Sequence, residues 1–526
     1  MTHVTQRTAT LTTWAVAACA TLVGVLLAAP VGGASPRAVH EVYGVPAGGS
    51  FTISGHGYGH GHGLSQWGAY GAAKVADLSS NQILHFYYPH TTLATKPVTQ
   101  TVRVLLTATA APSKKYVEFN PAPGLAVTPA PSTPSTPSEK RRRAADEGST
   151  VLPETADGGA TIDHWRLRKQ AGTIALQGHW SGAWHTQTAD VGSSATVSDT
   201  DALIAVVEPN GAKKKTIRYR GQIVAQLVSG SMQAVDNVLV ESYLRSVVPS
   251  EMSSSWPAAA LQAQAVAART YTWRAIGSPK APWYDLVGDT RDQAYGGFGA
   301  ETKKTDNAVH STAGEIAVDG GGAPIFAQYS ASDGGWTVSG GQAYLPAKRD
   351  PYDGKVPNNG HSWSTSITTA AIEAAYPSIG DLQQLVITGR DGHGAWGGRV
   401  TTMSIVGSKG TASPSGAAFQ SAFGLRSTWF RPQPPPGPPT KLTVEVTGHT
   451  VVVTWQPPAA ADGAADVTGY KVTLSPGGHT TTVDATTTTA TFTAVRAGSY
   501  TAEVVAKSPV GTSAPATAPV TVKKLL

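Results

Sequence analysis

Between Gly55 and Gly63 the chain reads GHGYGHGHG, so every second residue lacks a Cβ. In an extended segment alternate residues share one face. One face of this run is therefore bare backbone, which another stretch of chain can approach closely. The other face carries His56, Tyr58, His60 and His62. Three histidines on one face invite a metal reading. No acidic partner stands beside them, so close backbone packing is the preferred reading and no metal site is expected. Backbone stacked on backbone fits the wider composition. Gly (57) and Pro (36) are abundant in the 526 residues, charged residues reach only 14%, and 40% are apolar. That excludes a wholly disordered chain and argues against a mostly helical one. The expected class is α+β and β-rich, in an extracytoplasmic chain.

The net charge is +6. Spread over this length it fits contact with an acidic surface such as a cell wall, and it is too diffuse to indicate nucleic acid. Arg7, the apolar run Trp14–Ala29 and the small residues to Ala34 have the order of a secretory signal peptide, so residues 1–34 are expected to be removed. Left uncleaved, the run would serve as an N-terminal membrane anchor, although it is short for a span. The lone Cys19 lies inside it. After cleavage the chain would have no cysteine, hence no disulfide and no Cys-based zinc site.

Residues 45–95 form a glycine- and histidine-rich segment with helix-like stretches at Ser65–Lys74 and Gln82–Tyr87. Residues 97–430 are expected to hold the main domain, with a disordered insert at about 121–160 that contains Thr-Pro-Ser repeats and an exposed basic run. Alternation from His164 to Val228 predicts several strands. Helices are expected at Asp236–Val248, stopped by Pro249, and at Pro257–Arg274. The remainder to Phe430 reads as strand and turn. Residues 431–440 are a stiff proline linker. Residues 441–523 alternate as a small β sandwich. Trp455, Gly469-Tyr470 and Tyr500 within it resemble a fibronectin type III domain.

The most informative stretch is Val240–Tyr271, VESYLRSVVPSEMSSSWPAAALQAQAVAARTY. It reads as a helix, a loop and a second helix, with Glu251 in the loop beside Met252 and close to Trp256. A carboxyl constrained among apolar groups has a raised pKa, the condition for a general acid near neutral pH. Spacing alone leaves open a plainer role, in which Glu251 interacts with the positive end of the second helix.

Tyr243-Leu244, Val247–Met252, Trp256-Pro257 and Gln262–Tyr271 resemble the signature of the SpoIID/LytB family. Further pieces follow in family order: Gln293–Gly297, Ala327–Ser330 with Gly334-Gly335, Trp396–Val400 and Phe423–Phe430. In that family a segment like Gly55–Tyr88 commonly follows the last of these. Here it precedes the core, a circular permutation in order. A permutation keeps the fold when the old ends lie together. Phe51–Tyr88 is therefore expected to pack against the sheet carrying Arg426–Phe430.

The resemblance implies a peptidoglycan lytic transglycosylase, with a helical pair carrying the active site. It implies Glu251 as the catalytic acid and base, and Arg269, about three turns into the second helix, as a residue that orients the acid or binds a sugar substituent. A buried structural ion pair is the alternative for Arg269. Ser330, Ser332, Asp333 and His60 are expected to line the substrate groove. Some relatives bind zinc through Cys and His near this motif. This chain has Asp333 and Trp336 near those places, so no zinc and no other cofactor is expected. Trp67, Trp256, Trp336 and Trp363 are candidate sugar platforms, against plain core packing. The implied partners are peptidoglycan glycan strands, outside the cell or on its wall. The alternative is a non-catalytic wall-binding protein that enhances an N-acetylmuramoyl-L-alanine amidase, which makes a cell-wall amidase its partner.

Overall fold

The computed structural model describes residues 37–46, 48–106, 115–129, 148–201, 203–210, 213–459 and 464–524. The expected signal peptide, Cys19 and the middle of the insert lie outside the described residues. Among those residues the chain is β-rich, with seven α-helices. They are α1 (Gln66–Val75), α2 (Ser80–Tyr87), α3 (Val240–Glu251), α4 (Ala258–Gly277), α5 (Lys303–Ser311), α6 (Thr369–Ala375) and α7 (Gly416–Phe423). None is long and apolar enough to cross a membrane.

Three apolar cores organise the chain. The first joins α1 to α5 with a six-stranded and a seven-stranded sheet, and Tyr243, Leu261, Trp165 and Tyr87 lie within it. The second gathers Phe51, Ile53, Ile387, Phe419 and Phe430. The third, around Trp455 and Tyr470, is the sandwich of a three-stranded and a five-stranded sheet. Its Tyr500 hydroxyl donates to the Arg496 carbonyl at 2.9 Å, the corner contact of such sandwiches. Residues 97–430 thus contribute to two cores rather than one. The flanks of the insert are also ordered: Ala126–Pro129 pairs with Thr150–Val151, and Leu125 and Leu152 are buried.

α3 differs from expectation at both ends. Asp236 belongs to the strand Ser231–Leu239, and α3 begins only at Val240. Its buried residues Val240, Tyr243, Leu244, Val247 and Val248 form one apolar stripe. Pro249 does not end the helix. The last turn is held by the Met252 N–H to the Val248 carbonyl (2.9 Å) and by the Ser250 hydroxyl to the Ser246 carbonyl (2.8 Å). α4 is buried nearly all round, and its many alanines let neighbouring elements approach closely. The three helices that periodicity missed, α5, α6 and α7, start at side-chain caps Thr302, Thr368 and Ser415.

The glycine run behaves as its spacing suggests. Tyr58 exchanges backbone hydrogen bonds with Ser332 (2.7 and 3.1 Å). A Cβ on Gly59 would lie 2.8 Å from the Ser330 Cβ, and its φ of +102° already favours glycine. Ser50–His56 pairs antiparallel with Phe430–Pro432, and the Gly59 N–H reaches the Arg426 carbonyl at 2.8 Å. The N-terminal segment therefore packs against Arg426–Phe430.

Candidate active site

Glu251 is the last residue of α3 and is partly buried. Its Oε1 accepts from the Ala294 backbone N–H at 2.9 Å, and its Oε2 from the Gln66 amide Nε2 at 3.1 Å. Both donors are neutral, and no cation pairs with this carboxyl among the described residues. Burial raises its pKa above the ordinary glutamate value, against a smaller lowering by the two hydrogen bonds.

The surroundings fix this geometry. Gln293 accepts from the Tyr243 hydroxyl (3.2 Å) and the Thr272 hydroxyl (2.9 Å). Its amide donates to the Ala268 carbonyl (3.1 Å) and the Tyr329 hydroxyl (3.0 Å). This fully bonded, buried side chain sets the position of the next residue, Ala294, whose N–H meets Glu251. Burial and then the Glu251 charge hold Tyr243 and Tyr329 well above the ordinary phenol value, so both stay neutral. Beside Gln66, on α1, stands an aromatic shelf. Trp256 stacks on Tyr70 with centroids 4.8 Å apart and an interplanar angle of 11°, and Trp67 leans on Trp256 at 4.7 Å. All three rings are partly exposed. A partly desolvated acid next to such a shelf can protonate a glycosidic oxygen on a sugar held against the rings.

The other expected site residues are placed differently. Arg269 is 0% exposed and gives Nε and Nη2 to the two oxygens of Glu241, each at 2.8 Å. It also donates to the Val309 carbonyl (3.1 Å) and the Glu315 carbonyl (3.2 Å). It is the buried structural pair, because a guanidinium taken out of water needs a carboxylate and filled hydrogen bonds. Ser332 and Asp333 are 0% exposed and turn inward rather than into a groove. Ser330 is buried, with its hydroxyl oxygen accepting the Gly61 N–H at 3.2 Å. His60 is exposed, its Nδ1 accepts the His62 N–H at 2.9 Å, and its ring also hydrogen-bonds the Tyr329 backbone. Trp363 packs over Gly55 and donates to the Gly57 carbonyl at 2.8 Å, and Trp336 stacks on His393. These two rings are held by partners within the chain and stay partly exposed.

Asp333, Asp350 and Asp353 bring one carboxylate oxygen each within 4.8 Å of the others. Oxygen donors of this kind suit a hard cation, whereas zinc prefers nitrogen and sulfur. Most of these oxygens are already engaged, although Asp333 Oδ2 is buried with no hydrogen-bond partner among the described residues. Asp353 accepts from Ser65 (2.9 Å), Ser332 (2.7 Å), Asn358 (2.9 Å) and His361 (2.9 Å). Asp350 accepts from the Tyr87 hydroxyl at 2.6 Å. Burial tends to raise Asp353, but the hydrogen bonds from His361, Ser332 and Ser65 outweigh it and hold the group below the usual value. Burial and the charges of Asp350 and Asp353 push Asp333 well above the carboxylate range. The cluster reads as a clamp between the α1 segment and the loop after Ser330.

Sequence reasoning missed Gln66, Tyr70, Tyr243, Gln293 and Tyr329 as parts of the site. Each stands within a stretch that the motif reading had quoted, but spacing gives no hint of which side chains face Glu251.

A family model for the stage II sporulation protein matches residues 228–318, and one for the fibronectin type III domain matches residues 437–523. The amidase enhancer of Bacillus subtilis (strain 168) is 36% identical over 119 residues, 22% of this chain and 16% of that protein. Stage II sporulation protein D of the same organism is 32% identical over 146 residues, 24% of this chain and 42% of that protein. An uncharacterized protein of Brachyspira hyodysenteriae is 38% identical over 125 residues, 23% of this chain and 33% of that protein. The chain thus spans less than half the length of each of these relatives. Residues 228–318, the stretch that includes α3 with Glu251 at its end, therefore belong to the stage II sporulation protein domain family, and residues 437–523 belong to the fibronectin type III family.

Proposed function

We propose that the chain is a secreted, cell-wall-associated peptidoglycan lytic transglycosylase with Glu251 as its single acid and base. The observation that carries this reading is the partly buried, cation-free carboxyl of Glu251, held by two neutral N–H donors beside an aromatic shelf. In the first step the Glu251 proton passes to the glycosidic oxygen between N-acetylmuramic acid and N-acetylglucosamine, and the bond from that oxygen to the muramic C1 breaks. The muramic C6 oxygen then bonds to C1, and its proton returns to Glu251. The product carries a 1,6-anhydro ring, no water is consumed, and one carboxylate serves both steps, unlike the two-carboxylate hydrolases. The nearby Asp292 is tied to Lys280 and Tyr271 and is not needed as a second base.

A relative named amidase enhancer favours a second reading, a wall-binding protein that acts through a cell-wall amidase. Digestion of purified glycan strands, followed by mass spectrometry of the ends, separates the two. The enzyme reading expects anhydromuramic ends from wild type and none from Glu251→Gln. Retention on intact wall without released fragments supports the second reading.

A further inference from the structure

Gln66 and Glu251 are 185 positions apart in sequence, yet among the described residues the Gln66 amide is one of two groups that hydrogen-bond this carboxyl. Gln66 opens α1 and is 6% exposed. Its backbone has little freedom. Ser65, directly before it, caps α1 by accepting the Gly68 N–H at 3.0 Å. The same hydroxyl donates to Asp353 Oδ2 at 2.9 Å. Leu64-Ser65 pairs in parallel with Tyr329-Ser330, and the Trp67 N–H reaches the Ala331 carbonyl at 3.0 Å. Asp353 is 5% exposed and held by several further donors, so it cannot turn away from Ser65.

We propose that Gln66 is a positioning residue for Glu251, and that Asp353, acting through Ser65, fixes the place from which Gln66 reaches it. This rests on Glu251 being the reacting carboxyl.

An amide suits the task. A lysine or arginine here would hold Glu251 ionised, and an apolar side chain would let the carboxyl rotate. Gln66 and the Ala294 N–H each take one lone pair, so the carboxyl plane is set while each oxygen keeps a lone pair for the proton. The titratable groups that face Glu251 are Tyr243 from α3 and Tyr329 from its strand, both neutral. Gln66 stabilises the ionised form, so its removal raises the titration of Glu251 further.

The experiment uses the full chain with Gln66→Met, which keeps the packing volume without a donor, alongside Gln66→Ala, Ser65→Ala and Ser65→Thr. Two readouts are taken. One is the carboxyl titration of Glu251 by NMR of 13C-labelled glutamate, with the signal assigned through Glu251→Gln. The other is the pH profile of anhydro-end release.

Gln66→Met is expected to move the titration and the alkaline limb upward together and to lower kcat on the order of tenfold, with KM nearly unchanged. Ser65→Ala is expected to move both in the same direction by less, and Ser65→Thr to restore them. A folded Gln66→Met or Gln66→Ala protein with unchanged titration and unchanged kcat overturns the proposal. So does a loss confined to KM. If wild type releases no anhydro ends, the enzymatic reading fails, while the titration still decides whether Gln66 orients this carboxyl.

Discussion

Arg269 directs Nε and Nη2 to Glu241 at 2.8 Å and makes no hydrogen bond to Glu251. The pair ties α4 to the start of α3. The two partners are unequal: the Arg269 side chain is 0% exposed and that of Glu241 is 21%. Removing Glu241 leaves a charged guanidinium buried, whereas removing Arg269 leaves a carboxylate that water can reach. Glu241→Ala is therefore expected to destabilise by about 3–5 kcal/mol and Arg269→Met by less. Urea unfolding of the three proteins checks the order. If Arg269→Met instead retains full stability but loses the pH dependence of cleavage, Arg269 acts on the chemistry after all.

Glu251 has its own stability signature. A carboxyl whose pKa is raised by folding contributes stability below its unfolded value, and that contribution is lost as pH rises through the raised value. Glu251→Gln, which has no such proton to lose, is expected to melt at or above the wild-type temperature at pH 8 while releasing no anhydro ends. Near pH 4 the gain should vanish. Differential scanning calorimetry at both pH values is the check. A lower melting temperature for the variant at pH 8 would show that the carboxylate is a structural anchor.

The carboxyl clamp makes two opposite predictions. Asp333 is raised by burial, so its contribution is lost as pH rises, and Asp333→Asn should flatten that loss. Asp353 is lowered on balance, because the bonds from His361, Ser332 and Ser65 outweigh burial, so its contribution is lost as pH falls. Asp353→Ala leaves buried donors without an acceptor and should destabilise by roughly 3 kcal/mol at neutral pH. Dialysis against EDTA should leave the melting temperature where it was. A drop restored by calcium would turn the clamp into a metal site.

How far these features were legible depends on the range of the interaction. The alternate glycines announced a bare face, and Ser330, whose Cβ would lie 2.8 Å from a Cβ on Gly59, approaches it closely. The helix–loop–helix order around Glu251 and the β sandwich that holds Trp455 and Tyr470 were also readable, since local period and residue type decide them. The extent of α3 was not, because Ser250 and Met252 hold its last turn beyond Pro249. Gln66 could not be matched to Glu251 from sequence either. That contact depends on how α1 lies on α4, which tertiary packing decides. The same holds for Asp333, whose neighbours Asp350 and Asp353 arrive from a later loop.

The aromatic shelf supplies the test of where a sugar sits. Trp256 stacks nearly parallel on Tyr70, and both are partly exposed, which makes them the candidate platform for a sugar ring. Contacts of this kind bind ground state and transition state alike, so their loss raises KM more than it lowers kcat. Trp256→Ala is expected to raise KM for glycan strands roughly tenfold, a change of about 1.4 kcal/mol, with kcat within about threefold of wild type. Trp256→Phe keeps a ring and should recover most of the difference. Trp336→Ala serves as the control, since that ring stacks on His393 at 5.4 Å and is not assigned to the platform, and it should leave KM unchanged. Initial rates of anhydro-end release across a range of strand concentrations decide it. Equal KM values for wild type and Trp256→Ala would move the bound sugar away from α1 and leave Glu251 without the platform assigned to it.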